Sequence, residues 1–140
     1  MRKLIREGKR NPEIRSLAVS IVRDVQPKHF YQEIVAVWMF VSSAIRYTKD
    51  IFGVEMVQPA EWVVRNGAGD CDDFTVLVCS LLEAIGHRTR IVAVGRNPME
   101  YTHVYAETLS GSQWIAVDAT ENFGVGWHMP YLQRMEISTN

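Results

Sequence analysis

The chain has only two cysteines in 140 residues, so it is not a small scaffold held together by disulfides. Cys71 and Cys79 lie eight residues apart. On one continuous helix that separates them by about 12 Å, against the roughly 6 Å between Cα atoms that a bridge allows. Both thiols are expected to be free, which suits a reducing compartment and a cytoplasmic protein. No run approaches the roughly 18 apolar residues of a membrane span. The basic start, Arg2, Lys3, Arg6, Lys9 and Arg10, is not followed by the apolar stretch of a secretory signal; it reads as a flexible, solvated arm over residues 1–10. A formal net charge of −1 and the lack of a long basic stripe argue against nucleic acid as a partner. Internal repeats, low-complexity tracts and a linker are also missing, which leaves a single domain over residues 1–140.

What the sequence does contain is core-forming material, with 47% hydrophobic and 22% charged residues. Asn11-Pro12 supplies an N-cap and an N1 proline, and Ile14, Leu17, Ala18, Ile21, Val22 and Val25 follow at helical spacing until Pro27. A second helix is expected from about His29 to Tyr47, with Phe30, Ile34, Val37, Trp38, Val41 and Ile45 on a broad apolar face. Trp38 there reads as core. Residues 48–69 lack a steady period and contain Gly53, Pro59, Gly67 and Gly69, so they read as a loop along one wall of a cleft, with a helical turn around Ala60 to Val64. The next helix runs from Cys71 to about Ile85, burying Phe74, Leu77, Val78, Leu81, Leu82 and Ile85, with Gly86 as its C′ residue. Cys79 falls on that helix as a small buried residue. Beyond Gly86 the period becomes two, predicting strands at Thr89–Gly95, Thr102–Leu109 and Ser112–Asp118. Tyr131–Ile137 reads as a short strand or helical turn. The fold class is α+β.

Chemistry is concentrated around Cys71, which opens its helix. A thiolate at a helix N-terminus faces unpaired N–H groups and the positive end of the dipole, both of which favour it. Asp70 fits the N-cap, with Asp73 as a short-armed capping-box partner. The negative charges of Asp72 and Asp73 disfavour a thiolate, so the site needs a cation that also carries protons, which is histidine. The last two predicted strands are separated by Ser110-Gly111, a two-residue hairpin loop. Pairing Leu109 with Ser112 sets His103 directly opposite Asp118, with Cβ atoms roughly 5 Å apart on one face. Nucleophile, base and orienter then occur in chain order: Cys71 attacks an amide carbonyl, His103 moves the proton, and Asp118 holds the imidazole. The Cys71 backbone N–H is one oxyanion-hole donor, with Gln58 and Trp62 as candidates for a second. His29, His87 and His128 lack a comparable partner and read as surface or loop residues.

These residues resemble the transglutaminase-like family, relatives of papain-type cysteine proteases. The resemblance is carried by Gly69-Asp70-Cys71-Asp72-Asp73, by Leu77, Leu81-Leu82 and Gly86 on the helix, by Arg90-Ile91-Val92, by Thr102-His103-Val104-Tyr105-Ala106-Glu107, and by Trp114-Ile115-Ala116-Val117-Asp118-Ala119-Thr120. It implies a nucleophile helix packed on an antiparallel sheet and a catalytic triad at Cys71, His103 and Asp118. The implied activity is acyl transfer on amide bonds of a peptide or protein, needing no cofactor. A single short domain departs from the family's animal cross-linking enzymes, so peptidase, amidase or deamidase action is expected ahead of cross-linking.

Other readings are weaker. Cys71, His103 and Asp118 could hold Zn²⁺ with a water, but their spacing matches no zinc signature. Asp70, Asp72 and Asp73 lack the glycine and distal glutamate of an EF-hand. A non-catalytic peptide-binding or assembly module would have no physical need for cysteine, histidine and aspartate together.

Overall fold

Every side chain from Asp73 to Leu82 is buried, which makes the cysteine-bearing helix the centre of the molecule. A computed structural model describes residues 1–49 and 56–140. Helix α5, Cys71–Ala84, has α1 (Arg2–Gly8), α2 (Pro12–Ile21), α3 (Phe30–Ala44) and α4 (Ala60–Asn66) on one side. Its other side lies on an antiparallel sheet of β3 (Thr89–Gly95), β4 (His103–Ser110), β5 (Gln113–Val117) and β6 (Gln133–Ser138), in the order β5-β4-β3-β6. A short parallel ribbon pairs β1 (Arg46–Tyr47) with β2 (Ala68–Gly69). This is the α+β arrangement expected, with an antiparallel sheet on a central helix.

Local signals set the helix ends. Asn11 Oδ1 accepts from the N–H groups of Glu13 at 2.8 Å and Ile14 at 3.2 Å, capping α2. At the far end of α5 the His87 N–H reaches the Leu82 carbonyl and the Gly86 N–H reaches that of Glu83. Gly86 has φ +97°, completing a Schellman motif. Inside α5, Thr75 Oγ1 donates to the Cys71 carbonyl at 2.7 Å.

Five expectations need correction. Residues 1–10 are not a flexible arm: α1 packs on α5, Ile5 is fully buried, and a Cβ on Gly8 would come within 2.3 Å of Ser80 Oγ. The basic residues masked this, because Leu4, Ile5 and Gly8 are the few marks of its inner side. The second helix stops at Ala44; Ile45, Tyr47 and Thr48 favour extended backbone, and Arg46 and Thr48 donate to the carbonyls of Gly67 and Gly69 at 2.8 Å. The expected turn near residue 60 is a full helix, α4, ended by Gly67 at φ +66°. The loop expected over 48–69 falls outside the described residues at 50–55.

The fourth correction is the hairpin register. Ser110 pairs with Gln113 and Leu109 with Trp114 across a Gly111-Ser112 loop. Gly111 has φ +63°, and glycine at the first loop position is what a type II′ turn uses. The pairing shifts by two residues, so each side chain keeps its face. His103 and Asp118 therefore still share one, diagonally rather than directly opposed.

Ile91, Val104, Ala106 and Val117 face α5, whereas Val92, Val94, Tyr105 and Ala116 form a second cluster on the outer face under Met129 and Trp127. Farther along that face Glu107 accepts from Arg90 at 2.7 Å and Arg134 at 2.8 Å. His87 is no surface residue, since its ring is nearly buried and meets Glu33 at 2.7 Å, tying α3 to the end of α5.

The packing of α1 generates a direct test. Ile5→Ala should cost about 2–5 kcal/mol, as for other fully buried aliphatic truncations, and lower the thermal midpoint. An unchanged midpoint would mean that residues 2–8 are not part of the core.

Candidate active site

The start of α5 is held by a knot of hydrogen bonds around Asp73. Asp70 Oδ1 accepts from the Asp73 N–H, and Asp73 Oδ2 accepts from the Asp70 N–H, both at 3.1 Å. Asp73 also takes the Gln58 backbone N–H at 2.7 Å and its side-chain Nε2 at 3.0 Å. Gly69 is required here by close approach, because a Cβ on it would lie 2.6 Å from the Asp73 Cβ. The Asp73 carboxylate therefore points back into the loop, where its charge is spent on these donors. Asp70 is pushed up to about 6 by burial, with further increases from the charges of Asp73 and Asp72.

Gln58 is a brace in this knot. Its Nε2 also donates to the Ala68 carbonyl at 3.3 Å, and its Oε1 accepts from Asn66 at 2.7 Å. Both amide hydrogens are thus taken, leaving none for an oxyanion. Trp62 is 50% exposed on α4 and is not among the residues lining the cleft beside His103.

His103 opens β4, and Asp118 lies one residue past β5. Their Nε2 and Oδ2 atoms are 2.7 Å apart. The Asp118 side chain is 1% exposed, and its other oxygen accepts from Thr120 N at 3.0 Å and Thr120 Oγ1 at 2.6 Å. A missed support comes from Trp38: its indole Nε1 donates to the Asp118 carbonyl at 2.9 Å, fastening α3 to the strand end. Burial pulls the His103 pKa down, but hydrogen bonds to Asp118 and to Cys71, and the charges of both, outweigh it and raise it to about 9. With Nε2 given to Asp118, Nδ1 is the nitrogen left for the thiol. Cys71 lies near enough to His103 to help raise its pKa. Among the described residues no group of three or more His, Cys, Asp or Glu could hold a metal ion.

Tyr47 is a second residue that sequence reasoning missed. The β1–β2 ribbon sets it beside Gly69, one residue before the helix cap, and its ring meets Phe74 edge-on at 5.8 Å. Its phenol is raised above the usual range by burial, then by the negative charges of Cys71, Asp70, Asp118 and Glu121. It therefore stays a hydrogen-bond donor facing the site. Nothing in the local sequence marks Tyr47, because its place depends on a pairing across 22 residues. A cleft of about 390 Å³ opens beside His103 and Asp118, lined also by Tyr47, Phe123, Trp127 and Met129. The segment after β5 forms one wall of this cleft without filling it. Cys79, by contrast, is fully buried, and desolvation pushes its thiol up to about 12.

The sequence model of the transglutaminase-like superfamily matches residues 15–119. Solved structures share the fold: a candidate cysteine protease from Cytophaga hutchinsonii, at 22% identity and TM-score 0.64, covers 77% of this chain and 37% of its own. A candidate protease from Parabacteroides distasonis, at 13% identity and TM-score 0.63, covers 99% and 30% respectively. LapG of Legionella pneumophila, at 17% identity and TM-score 0.61, covers 85% and 72%. The chain thus spans little more than a third of the first and less than a third of the second. No curated protein sequence matches it.

The electrostatics of His103 give a measurable outcome. A raised histidine pKa stabilises the fold fully below the unfolded value of 6.5, and that contribution is lost as pH rises through about 9. By NMR the His103 ring should titrate near 9, and Asp118→Asn should move the midpoint down toward about 6.5. A midpoint unmoved by Asp118→Asn would show that the carboxylate does not hold the proton.

Proposed function

The chain belongs to the transglutaminase-like superfamily, and from that premise we propose that it is a cysteine-nucleophile hydrolase acting on amide bonds of peptides or proteins. The observation that carries this reading is the His103–Asp118 pair, with Nε2 and Oδ2 2.7 Å apart, set where Cys71 is near enough to help raise the histidine's pKa. Fold alone would not supply it, since one fold hosts many chemistries.

In acylation the Cys71 thiolate, paired with protonated His103, forms a bond to the carbonyl carbon. Collapse of the tetrahedral intermediate breaks the C–N bond, and His103 gives its proton to the leaving amine. Water then adds to the thioester, giving up a proton to the now neutral His103, and the second collapse breaks the C–S bond, releasing the acid and restoring the thiolate–imidazolium pair. Asp118 keeps the imidazole oriented and offsets its charge. The Cys71 backbone N–H, at the first turn of α5, is one donor for the developing oxyanion. Tyr47 is the second donor in this reading, in place of Gln58 and Trp62. Hydrolysis is favoured over amine transfer because the cleft is open to water, whereas transfer needs water kept out.

Thiol reactivity and turnover test separate parts of the mechanism. Iodoacetamide should label Cys71 at neutral pH and below, faster than a free cysteine, and leave Cys79 untouched until unfolding. Equal labelling of the two would remove the activated thiol. Tyr47→Phe should keep the labelling rate and lower kcat by about 10²–10³, the usual loss of one oxyanion donor. Unchanged kcat would take Tyr47 out of the mechanism. Release of peptide fragments or ammonia, with little incorporation of an added primary amine, is the expected product pattern; incorporation in excess would identify a transferase instead.

A further inference from the structure

The cleft beside the histidine carries information about the substrate that the reacting residues do not. Its walls come from Tyr47 and Lys49, from the β3–β4 turn and the start of β4, and above all from the segment after β5, most of which lies beyond residue 119, where the superfamily match ends. In any acyl transfer by Cys71, the amine half of the substrate must lie where His103 can protonate it. The cleft is lined by His103 and Asp118 rather than by Cys71, so it opens on that amine side.

Its surface has two distinct parts. Phe123 and Trp127 pack with ring centroids 4.6 Å apart and planes tilted by 38°, and with Met129 they make an apolar platform. Phe123 remains 66% exposed, a large uncovered aromatic next to a catalytic group. Arg96, from the β3–β4 turn, lines this cleft and also a groove of about 270 Å³ that continues over Pro130, Tyr131 and Leu132. Leu132 is 73% exposed there. Arg96 has no ion-pair partner among the described residues. Glu121 lies at the other end, near enough to Tyr47 to act on its phenol.

We infer that the site selects the leaving half of a polypeptide, taking a large apolar residue directly after the attacked bond on the Phe123–Trp127 platform and an acidic side chain farther along at Arg96. A guanidinium with no ion-pair partner among the described residues, set beside an apolar groove, attracts a carboxylate and repels a lysine, and apolar walls bind the preceding side chain through burial. A substrate releasing ammonia would leave this surface unused. This inference rests on the reading of Cys71 as the attacking thiol.

The test uses the full chain carrying Cys71→Ala, which cannot turn over. Binding of Phe-Gly-Glu amide, Phe-Gly-Lys amide, Gly-Gly-Glu amide and N-acetyl-lysine methylamide is measured by calorimetry at low salt. The first should bind about tenfold more tightly than the second, a difference that added salt shrinks. Adding Arg96→Glu should reverse that order, and adding Phe123→Ala should erase the advantage of phenylalanine over glycine. Equal binding of the glutamate and lysine peptides, an order indifferent to Arg96→Glu, or tightest binding of the lysine derivative would each overturn the inference. Slow alkylation of Cys71 in the unsubstituted chain, with peptide selectivity intact, would overturn the thiol mechanism alone and leave the peptide site standing.

Discussion

One buried carboxylate, that of Asp73, fixes the turn from which Cys71 opens its helix. It closes the capping box with Asp70 and holds Gln58 by both backbone and side chain. These bonds fix the loop before α5, so the first turn presents its N–H groups and the cysteine together. Aspartate suits the position because its short arm reaches back to the cap without leaving the turn. The same donors stabilise the Asp73 charge on the loop side of the turn.

From that fixed point the site is assembled by docking two layers. Asp118 faces both of them: its side chain holds His103 of the sheet, and its carbonyl accepts the Trp38 indole of α3. The helical layer therefore steadies the residue that steadies the base, a relation in which Trp38 acts by positioning. His103 lies on the outer face of β4 with Tyr105 and reaches α5 only because it begins the strand, where the sheet ends and the helix starts. Placed two residues farther in, the same side chain would join the cluster under Met129.

The outer sheet face continues this division between chemistry and scaffold. Tyr105 is buried between His103 and His128, with ring centroids 6.2 and 6.4 Å away, and Arg134 donates to its hydroxyl at 3.3 Å. Beyond it Glu107 is shared by Arg90 and Arg134. Such a buried ion cluster adds little net stability over an apolar core, since desolvation offsets the attraction. Its evident effect is to join β3, β4 and β6.

Much of the site was legible because its signals are local. Asn11-Pro12, the Asp70–Asp73 box and Gly86 each act within a few residues, and strand alternation placed His103 and Asp118 on one face even though the expected hairpin pairing was two residues out. That error was harmless because side-chain direction repeats every two residues. Tertiary structure decided what depends on packing between distant segments. The basic residues of α1 hid its few apolar contacts, Gln58 looked free for chemistry until its partners were seen, and Tyr47 came to the site through pairing with Gly69. The bond from Trp38 to Asp118 spans 80 residues. Caps and periodicities are set by each segment's own backbone geometry, so the sequence alone determined the central helix, the main strands and the chain order of Cys71, His103 and Asp118; which side chains supported or surrounded those groups was decided only when the helical layer met the sheet.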